Sequence, residues 1–428
     1  MKQQYLKYFP RSSRGDLKNR EALDVPFDQE QVRELCRSEV HDLATEIGLL
    51  GAIGFLENEV SRLCGEWHER RRNRAMTRYG AQPGWVAVSG QKVAIQRPRV
   101  RYADGRGEVP LKCYQRLQRR ENLGRTVLRR VVRGVSCRNY EGVVDDLRRG
   151  GGLKKSTISR QFIAEMTGRI RKLIERRWDG TRWAAIFIDG KAYAGEMMIV
   201  AAGVKADGTK HVLALRQGAT ENAEVVKDLL EDLRNRGVAT DQMTLFVLDG
   251  SQALRAAVKR VWGRYAAVAR CQIHKRHNIK EYLAQEYWGE LDRRLNEAWY
   301  GTDYDQASGK LKQTAGWLEG INPDAARSLR EGMEETLTVV RLGIPDLLRQ
   351  TLSNTNVIES AFSVSGSVSD RVKRWKPGEM RWRWCAAGLM FAEEKFRRVK
   401  GHRTIPQLIT ALDELARKEG LDSKSQVA

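Results

Sequence analysis

Two aspartates, Asp189 and Asp249, each follow an unbroken apolar run and precede a glycine. The runs are Ala184–Ile188 and Leu245–Leu248. A strand is apolar at every position only when both of its faces are covered, so both runs predict buried strands. An acid at the end of such a strand emerges where open α/β sheets bind ligands. Either aspartate could instead be a turn residue, as expected of the dipeptide Asp207-Gly208, but the apolar runs favour a shared site.

Paired carboxylates at one sheet edge form half of a site for a divalent metal ion. Hard oxygen ligands suit Mg²⁺ or Mn²⁺. Two such ions, roughly 4 Å apart, can activate an attacking oxygen and stabilise a leaving oxygen in phosphodiester chemistry. A third carboxylate is needed for the second ion, and Glu359, in the first turn of a predicted helix, is the candidate. The alternative is a capping box with Asn356, in which Glu359 only satisfies a backbone N–H. The fallback acids are Glu379, Glu393 and Glu394.

A Cys-x-x-His pair, Cys271 and His274, follows the second acid, and His277 comes one helical turn later. One interpretation is a zinc site, but a structural zinc ion usually has four ligands and no fourth ligand is evident nearby. The pair is therefore expected to pack or hydrogen-bond beneath the acids. His277 is expected to approach a phosphate.

The elements around the acids predict how they meet. Three antiparallel strands, the first ending at Asp189, are followed by an amphipathic helix over Glu221–Arg236 and then by the Asp249 strand. A helix over Gln252–Trp262 and a short strand over Ala266–Arg270 come next. Because crossover connections are almost always right-handed, the Asp249 strand should lie parallel to the Asp189 strand and beside it.

Composition indicates a basic, globular protein that acts on a polyanion. The chain has 428 residues, which predicts two to four domains, and its net charge of +22 favours nucleic acid as the partner. An anionic membrane is less favoured, because no run approaches the length of a membrane-spanning segment. The N-terminal residues lack the apolar core of a signal peptide, and the six cysteines show no framework spacing. A cytoplasmic location is therefore expected.

Basic clusters mark the expected DNA contacts. A helical pattern over Gln29–Arg78 ends in a cluster containing Arg71 and Arg72, which could also be a solvated helix face. A predicted hairpin with the turn Ser89-Gly90 leads to Arg97 and Arg99, which alternate along one face of an edge strand.

Three helices are expected over residues 121–177, in a helix-turn-helix-like order. They are predicted at Leu123–Val132, Tyr140–Leu147 and Ser156–Arg177. The third begins beside three basic residues that are candidates for DNA contact: Lys154, Lys155 and Arg160. The alternative is an ordinary three-helix bundle that carries basic residues on its surface.

A C-terminal segment interleaves basic and aromatic residues. This pattern is typical of sites that bind single-stranded or distorted DNA ends by charge and base stacking. The candidates here are Arg371, Lys373, Arg374 and Trp375. Alternatively, its tryptophans pack a helix onto the core while the basic side chains stay in solvent.

Together, these acids and motifs resemble a known family. The strand ending in Asp189, the strand ending in Asp249 with Cys271-x-x-His274 after it, and Asn356-x-Ile358-Glu359-Ser360 after a helical insertion resemble bacterial Mutator-type insertion-sequence transposases. The resemblance spans about residues 180–375. The chain departs from that pattern in one respect: residues 363–369 lack the basic residue that members often carry about two turns after the glutamate.

The resemblance implies an RNase H-like α/β fold with a mixed sheet, in which Asp189, Asp249 and Glu359 form the catalytic triad and hold two Mg²⁺ or Mn²⁺ ions. It implies binding of terminal inverted repeats, hydrolysis at the transposon ends and joining of the freed 3′-OH to target DNA in the bacterial nucleoid. Two ends must be joined, so a homodimer on DNA is expected. An RNase H-like nuclease or resolvase without strand transfer, or a non-catalytic DNA-binding regulator, is the alternative.

The expected segments follow from these patterns. They are a basic helical region over 1–80, a small β-hairpin segment over 81–120, a helix-turn-helix-like DNA-binding region over 121–178, a catalytic core over 179–280 and 351–428 with basic C-terminal helices, and a helical insertion over 281–350.

Overall fold

The structure is a computed structural model that divides into two compact units, residues 1–131 with 135–165 and residues 132–134 with 166–428. It describes residues 5–8, 23–26, 49, 51–66, 69, 74–88, 91–118, 120–133, 135, 150–151, 155–218, 223–370, 372, 374–376 and 378–421. Each unit has its own hydrophobic core.

The first unit is built on an antiparallel hairpin that packs against a helix. Its elements are β1 (Tyr5–Tyr8), β2 (Leu23–Pro26), α1 (51–64), β3 (Met76–Val88), β4 (Gln91–Tyr102), α2 (Lys112–Leu117), α3 (Arg120–Val132), β5 (Gly150–Gly151) and α4 (Lys155–Ile174), whose residues are divided between the units. Buried side chains of α1, such as Leu56 and Val60, share a core with Val86 and Val100 of the hairpin.

The predicted hairpin is confirmed and is longer than expected, with Val88 opposite Gln91. The predicted helix over 29–78 is wrong at its end. The helix stops at residue 64, where Gly65 takes a positive φ of 85° that suits a helix terminus, and Met76–Arg78 already belong to β3.

The two outer predicted helices of the 121–177 region are confirmed as α3 and α4, although α4 ends at Ile174. The middle one, Tyr140–Leu147, lies outside the described residues. The described part therefore shows two helices of the expected three and leaves the helix-turn-helix a prediction.

The second unit combines a five-stranded sheet with helices on both faces. Its strands are β6 (Trp183–Tyr193), β7 (Glu196–Lys205), β8 (Lys210–Gly218), β9 (Thr244–Leu248) and β10 (Ala266–Arg270). The helices among and just after them are α5 (Ala223–Asn235), α6 (Gln252–Trp262) and α7 (Gln272–Lys280). Short 3₁₀ turns lie at Gly263–Tyr265, Gln285–Tyr287 and His402–Thr404.

The remaining helices form the insertion and the C-terminal part of this unit. They are α8 (Trp288–Trp299), α9 (Tyr304–Glu319), α10 (Pro323–Arg330), α11 (Met333–Thr336), α12 (Thr338–Arg341), α13 (Asp346–Leu352), α14 (Asn356–Ser369), α15 (Met380–Glu393) and α16 (Ile405–Lys418). Leu291, Leu295 and Leu311 belong to a core formed by the insertion itself. The expected helical insertion is thus built around its own apolar side chains.

The sheet order is β10-β9-β6-β7-β8. Strands β6, β7 and β8 are antiparallel neighbours, and β9 runs parallel to both β6 and β10. The predicted parallel neighbours are therefore confirmed. The predicted helix over Gln252–Trp262 and strand over Ala266–Arg270 are confirmed with the same bounds.

The first strand does not end at Asp189-Gly190 as the apolar run suggested. β6 continues to Tyr193, because β7 pairs with it up to Glu196 in a hairpin. Its pairing with β9 does end earlier, at Ile188 opposite Leu248. The sheet therefore opens between these two strands directly before the two aspartates.

The two faces of the sheet have different partners. Ile188 and Leu248 lie in the core shared with α5 and α6. Since successive side chains point to opposite faces of a strand, Asp189 faces the other way. Helix α14 packs against β6 and β7. In the described part of the chain, no helix combines the length and the apolarity needed to cross a bilayer.

Candidate active site

Three side chains from separate elements converge beside the open end of β6 and β9. Asp189 of β6, His274 of α7 and Glu359 of α14 each offer a ligand atom within 4.8 Å of the other two. Asp189 is only 5% exposed, whereas His274 and Glu359 are partly exposed. We call these three residues the acid cluster. Its residues are far apart in sequence, so the tertiary fold brings them together and local structure does not.

Asp249 lies outside the acid cluster. It is the residue after the last β6–β9 pair, so its backbone is next to that of Asp189 in register. Its Oδ1 accepts a hydrogen bond of 2.8 Å from the backbone N–H of Ser251, at the start of α6. Asp249 nevertheless acts on His274 electrostatically and raises its pKa.

Glu359 is placed by the first turn of α14. Thr355 is the N-terminal cap residue, and its backbone carbonyl accepts from the N–H of Glu359 at 3.1 Å. The capping box with Asn356 is therefore wrong, because Asn356 is already the first residue of the helix. One side of α14 is apolar and buried, with Ile358 and Phe362 among its buried residues.

Thr355 is a central residue that the sequence did not single out. It is fully buried, and its hydroxyl donates to Oε1 of Glu359 at 3.1 Å. The same oxygen lies 3.6 Å from Sγ of Cys271 and 3.4 Å from Nδ1 of His274. A hydroxyl has one proton to donate, so at any moment it donates to either the carboxylate or the sulfur, and not to both. Its position four residues before Glu359 was the only sequence signal for this role.

Cys271 and His274 form a buried, polarised pair. A hydrogen bond to Cys271 raises the pKa of His274 to about 9, and the carboxylates of Asp189 and Asp249 add to this effect against the opposing effect of burial. Burial opposes ionisation of the Cys271 thiol, but its contacts with His274 and Thr355 hold its pKa below the usual range. The expected hydrogen bonding beneath the acids is confirmed by these contacts.

The donor set of this site suits a hard divalent cation. Asp189 and Glu359 offer carboxylate oxygens close enough to share an ion, and Asp249 lies at the adjacent strand end. The imidazole of His274 is a poor ligand while it is protonated, because its ring nitrogens are then both donors. Cys271 is fully buried and lies outside the group of possible ligands, so the described residues do not form a four-ligand zinc site.

Lys191 is a second residue that sequence reasoning missed. It lies two positions after Asp189 in β6 and therefore on the same face of the strand. It is exposed, and its Nζ is 6.0 Å from the ring centroid of Phe362, one turn beyond Glu359. This lysine places positive charge beside the acid cluster, near the helix that lacks a basic residue over 363–369.

The fallback acids lie elsewhere in ion pairs. Glu393 binds Arg176 at 2.8 Å and His211 at 3.1 Å. Burial opposes its ionisation, but hydrogen bonds from His211 and Arg176 hold its pKa below the usual range. Glu379 and Glu394 pair with Arg383 and Arg169 respectively.

The candidate DNA contacts fall into several groups. Arg97 and Arg99 both pair with Glu108, and Arg99 does so with two hydrogen bonds. Trp375 packs edge-to-face on Tyr193, with ring centroids 5.9 Å apart. The candidates with exposed side chains are Lys155, Arg160, His277 and Arg374. Those outside the described residues are Arg71, Arg72, Lys154, Arg371 and Lys373.

Comparison with known proteins gives a consistent assignment. A family model described as "Transposase, Mutator family" matches residues 28–372. The transposase for insertion sequence element IS6120 of Mycolicibacterium smegmatis is 27% identical over 269 residues, which cover 61% of this chain and 79% of that protein. The transposase for insertion sequence element ISRM5 of Rhizobium meliloti is 27% identical over 265 residues, 60% of this chain and 65% of that protein. The transposase for insertion sequence element IS1201 of Lactobacillus helveticus is 24% identical over 360 residues, 79% of this chain and 89% of that protein.

Proposed function

The chain belongs to the Mutator family of transposases, and from this premise we propose that it binds the terminal inverted repeats of an insertion sequence, cleaves the ends by metal-dependent hydrolysis and joins the 3′-OH ends to target DNA. The observation that carries the proposal is the acid cluster at the open end of two parallel strands. Carboxylates from distant parts of the chain meet there on a protein with a net charge of +22.

The proposed fold of the catalytic unit is RNase H-like. Three antiparallel strands followed by two parallel strands in the order β8-β7-β6-β9-β10 support this assignment. Helix α14, which follows a helical insertion, brings the third acid to the first strand. The sheet and α14 both belong to the second unit.

The proposed metal ligands are Asp189, Asp249 and Glu359, with two Mg²⁺ or Mn²⁺ ions as cofactors. When bound, the ions lower the pKa of an attacking water and stabilise the leaving oxygen, so the protein need not supply a general base. Asp189 is fixed by the pairing of β6 on both sides up to Ile188. Thr355 holds Glu359 in place, and Asp249 has a second oxygen, Oδ2, that could bind an ion while Oδ1 accepts from the N–H of Ser251.

His274 has a supporting role in this proposal. Its charge at neutral pH offsets the repulsion between neighbouring carboxylates in the metal-free protein. Lys191, on the same strand face as Asp189, supplies positive charge for a DNA phosphate. Both groups would favour a polyanionic substrate at a site that is otherwise acidic.

The proposed DNA contacts outside the site are the exposed Lys155, Arg160, His277 and Arg374. Arg97 and Arg99 would form a basic strand face whose geometry Glu108 fixes, since it binds both. Because two ends must be joined, the proposed active form is a homodimer on DNA, in the bacterial cytoplasm at the nucleoid.

A cleavage and joining assay on a terminal-repeat duplex tests this function. Asp189→Asn should abolish Mg²⁺-dependent cleavage and leave binding of the end intact. The matched control is Asp207→Asn, because Asp207 also precedes a glycine but only binds Thr209 in the β7–β8 turn. Cleavage by Asp189→Asn at the wild-type rate would refute the metal site. Cleaved ends without joined products would identify a nuclease, and sequence-specific binding without any cleavage would identify a regulator.

A further inference from the structure

A cavity opens directly beside Asp249, at Gly250. Its volume is about 540 Å³, and it is lined by the first turns of α6, by the ends of β9 and β10, and by the segment between α10 and α12. Gly250, the residue after Asp249, forms part of its wall. We call this cavity the Arg270 pocket. Its size lies within the range of pockets that hold small ligands.

Arg270, at the end of β10, is the buried cation of this pocket. It is 5% exposed, and its Nη1 donates to the backbone carbonyl of Glu331 at 2.9 Å. Its Nη2 lies 3.3 Å from Oε2 of Glu331, but its Nε has no hydrogen-bond partner among the described residues. A Cβ on Gly250 would collide with this guanidinium, so the glycine permits the close approach. Arg270 is therefore a buried cation in the pocket wall whose Nε has no hydrogen-bond partner among the described residues.

The carboxylates of the pocket do not neutralise its cations. Glu331 is shared between Arg270 and the fully buried Lys275, whose Nζ lies 3.6 Å from Oε2. Arg255 of α6 pairs with Glu335 at 2.5 Å. Lys259, one turn further along α6, is exposed and takes part in no ion pair among the described residues. The balance around the pocket is therefore positive and favours an anion.

The floor of the pocket is apolar. Leu248, Ala256 and Val268 line it. Gln252 also lines the pocket, and its side chain hydrogen-bonds to Glu331. Ser251 makes no side-chain cap to α6, so the first N–H groups of that helix also face an incoming anion without a side-chain partner. An apolar floor beside clustered cations matches a ligand that has a flat ring and a phosphate.

We propose that the Arg270 pocket holds one unstacked nucleotide of the DNA end, with its base over the apolar floor and a phosphate toward Arg255 and Lys259. The proposal rests on the proposed function, which brings a DNA strand to the acid cluster. The pocket begins at Gly250, the residue after Asp249, so it lies at the same end of β9 as the proposed metal ligands. Enzymes that work on DNA hold unstacked nucleotides in pockets of this kind, and unpaired or end nucleotides cost the least to extrude.

The test uses terminal-repeat duplexes in which 2-aminopurine replaces one base at a time near the cleavage position. The full chain carries Asp189→Asn, so that the signal reports binding without cleavage. We expect fluorescence to rise at one position when the protein binds. Lys259→Ala should remove most of that rise and weaken binding of the end by about ten-fold, the loss expected for one charged hydrogen bond. Because Lys259 is exposed and has no ion-pair partner in the described part of the chain, this variant should fold normally.

Arg255→Ala is the second variant, and Arg260→Ala is the matched control. Arg260 lies on the same helix and is exposed, but it pairs with Glu224 and does not line the pocket. We expect Arg260→Ala to leave the fluorescence unchanged. No fluorescence rise at any position, or an equal rise with Lys259→Ala and Arg255→Ala, would overturn the pocket proposal.

Three further outcomes separate the possible failures. If dAMP alone binds the pocket with Lys259-dependent affinity and the DNA gives no rise, the pocket is a free-nucleotide site and the DNA proposal is overturned. If wild-type protein shows no acid-dependent cleavage, the proposed function fails independently. Cleavage that depends on Asp189 but is unaffected by Lys259→Ala and Arg255→Ala would overturn only the pocket.

Discussion

Replacing Thr355 with valine removes one hydroxyl and keeps the shape of the side chain. The residue is fully buried, and its hydroxyl is 3.1 Å from Oε1 of Glu359. Hydrogen bonds to charged groups contribute about 1.5–3 kcal/mol. The variant should therefore unfold with a free energy about 1.5–3 kcal/mol lower than that of the wild type, measured by urea denaturation.

The same substitution should slow cleavage more than stability alone explains. Without the hydroxyl, the Glu359 carboxylate loses the hydrogen bond that fixes its Oε1. If that loss appears in the transition state, each 1.36 kcal/mol reduces the rate ten-fold, so the cleavage rate should fall roughly ten- to hundred-fold. Single-turnover cleavage of a terminal-repeat duplex under saturating protein measures it, and binding of the duplex should be unchanged.

Thr314→Val is the control for the loss of a buried hydroxyl. Thr314 is 1% exposed, and its hydroxyl donates to the carbonyl of Lys310 within α9, away from the acid cluster. Its loss should cost about 1 kcal/mol of stability and leave the cleavage rate at the wild-type level. Equal rates for Thr355→Val and Thr314→Val would show that the hydroxyl does not position Glu359.

Three further predictions address the same site. Glu359→Gln should lower the cleavage rate by at least about a hundred-fold and raise the Mg²⁺ concentration for half-maximal activity, while gel-shift binding stays at the wild-type level; an unchanged Mg²⁺ requirement would count against Glu359 as a ligand. His274 gains protons on folding, since its pKa is raised from 6.5 to about 9, so its contribution to the stability of the metal-free protein is complete below about pH 6.5 and is lost as the pH rises through about 9. Urea unfolding across this range should show the stability gap between wild type and His274→Gln closing, and a constant gap would contradict that assignment. Lys191→Ala should weaken binding of a DNA end and lower the slope of log affinity against log salt by about 1, whereas Lys312→Ala, an exposed lysine on α9, should leave both unchanged.

The sequence was informative where burial alone decides structure. Fully apolar runs located β6 and β9, and the crossover rule placed them side by side, because a covered strand admits no polar residue and a right-handed crossover permits one arrangement. It was less informative where two partners compete for one strand. β6 extends to Tyr193 because β7 continues to pair with it after β9 has ended, and no property of Gly190 reveals this.

The candidate site shows the same contrast between features that local sequence predicts and features that depend on tertiary contacts. Aspartates at strand ends could be predicted from local sequence, but the contacts of Thr355 depend on the start of α14 lying beside the start of α7, which is a tertiary relation. The engagement of Arg97 and Arg99 by Glu108 likewise depends on a segment that folds back on the hairpin. Charge counts identify basic residues and do not reveal which of them already have partners.

Crystals soaked in Mn²⁺ offer the most direct measurement of the central claim, which is that the acid cluster holds a divalent ion. Anomalous scattering should place a Mn²⁺ ion within bonding distance of carboxylate oxygens of Asp189 and Glu359. The same soak of Asp189→Asn crystals should show no such peak. A wild-type crystal without manganese between these two carboxylates, or an equal peak in the variant, would contradict the account.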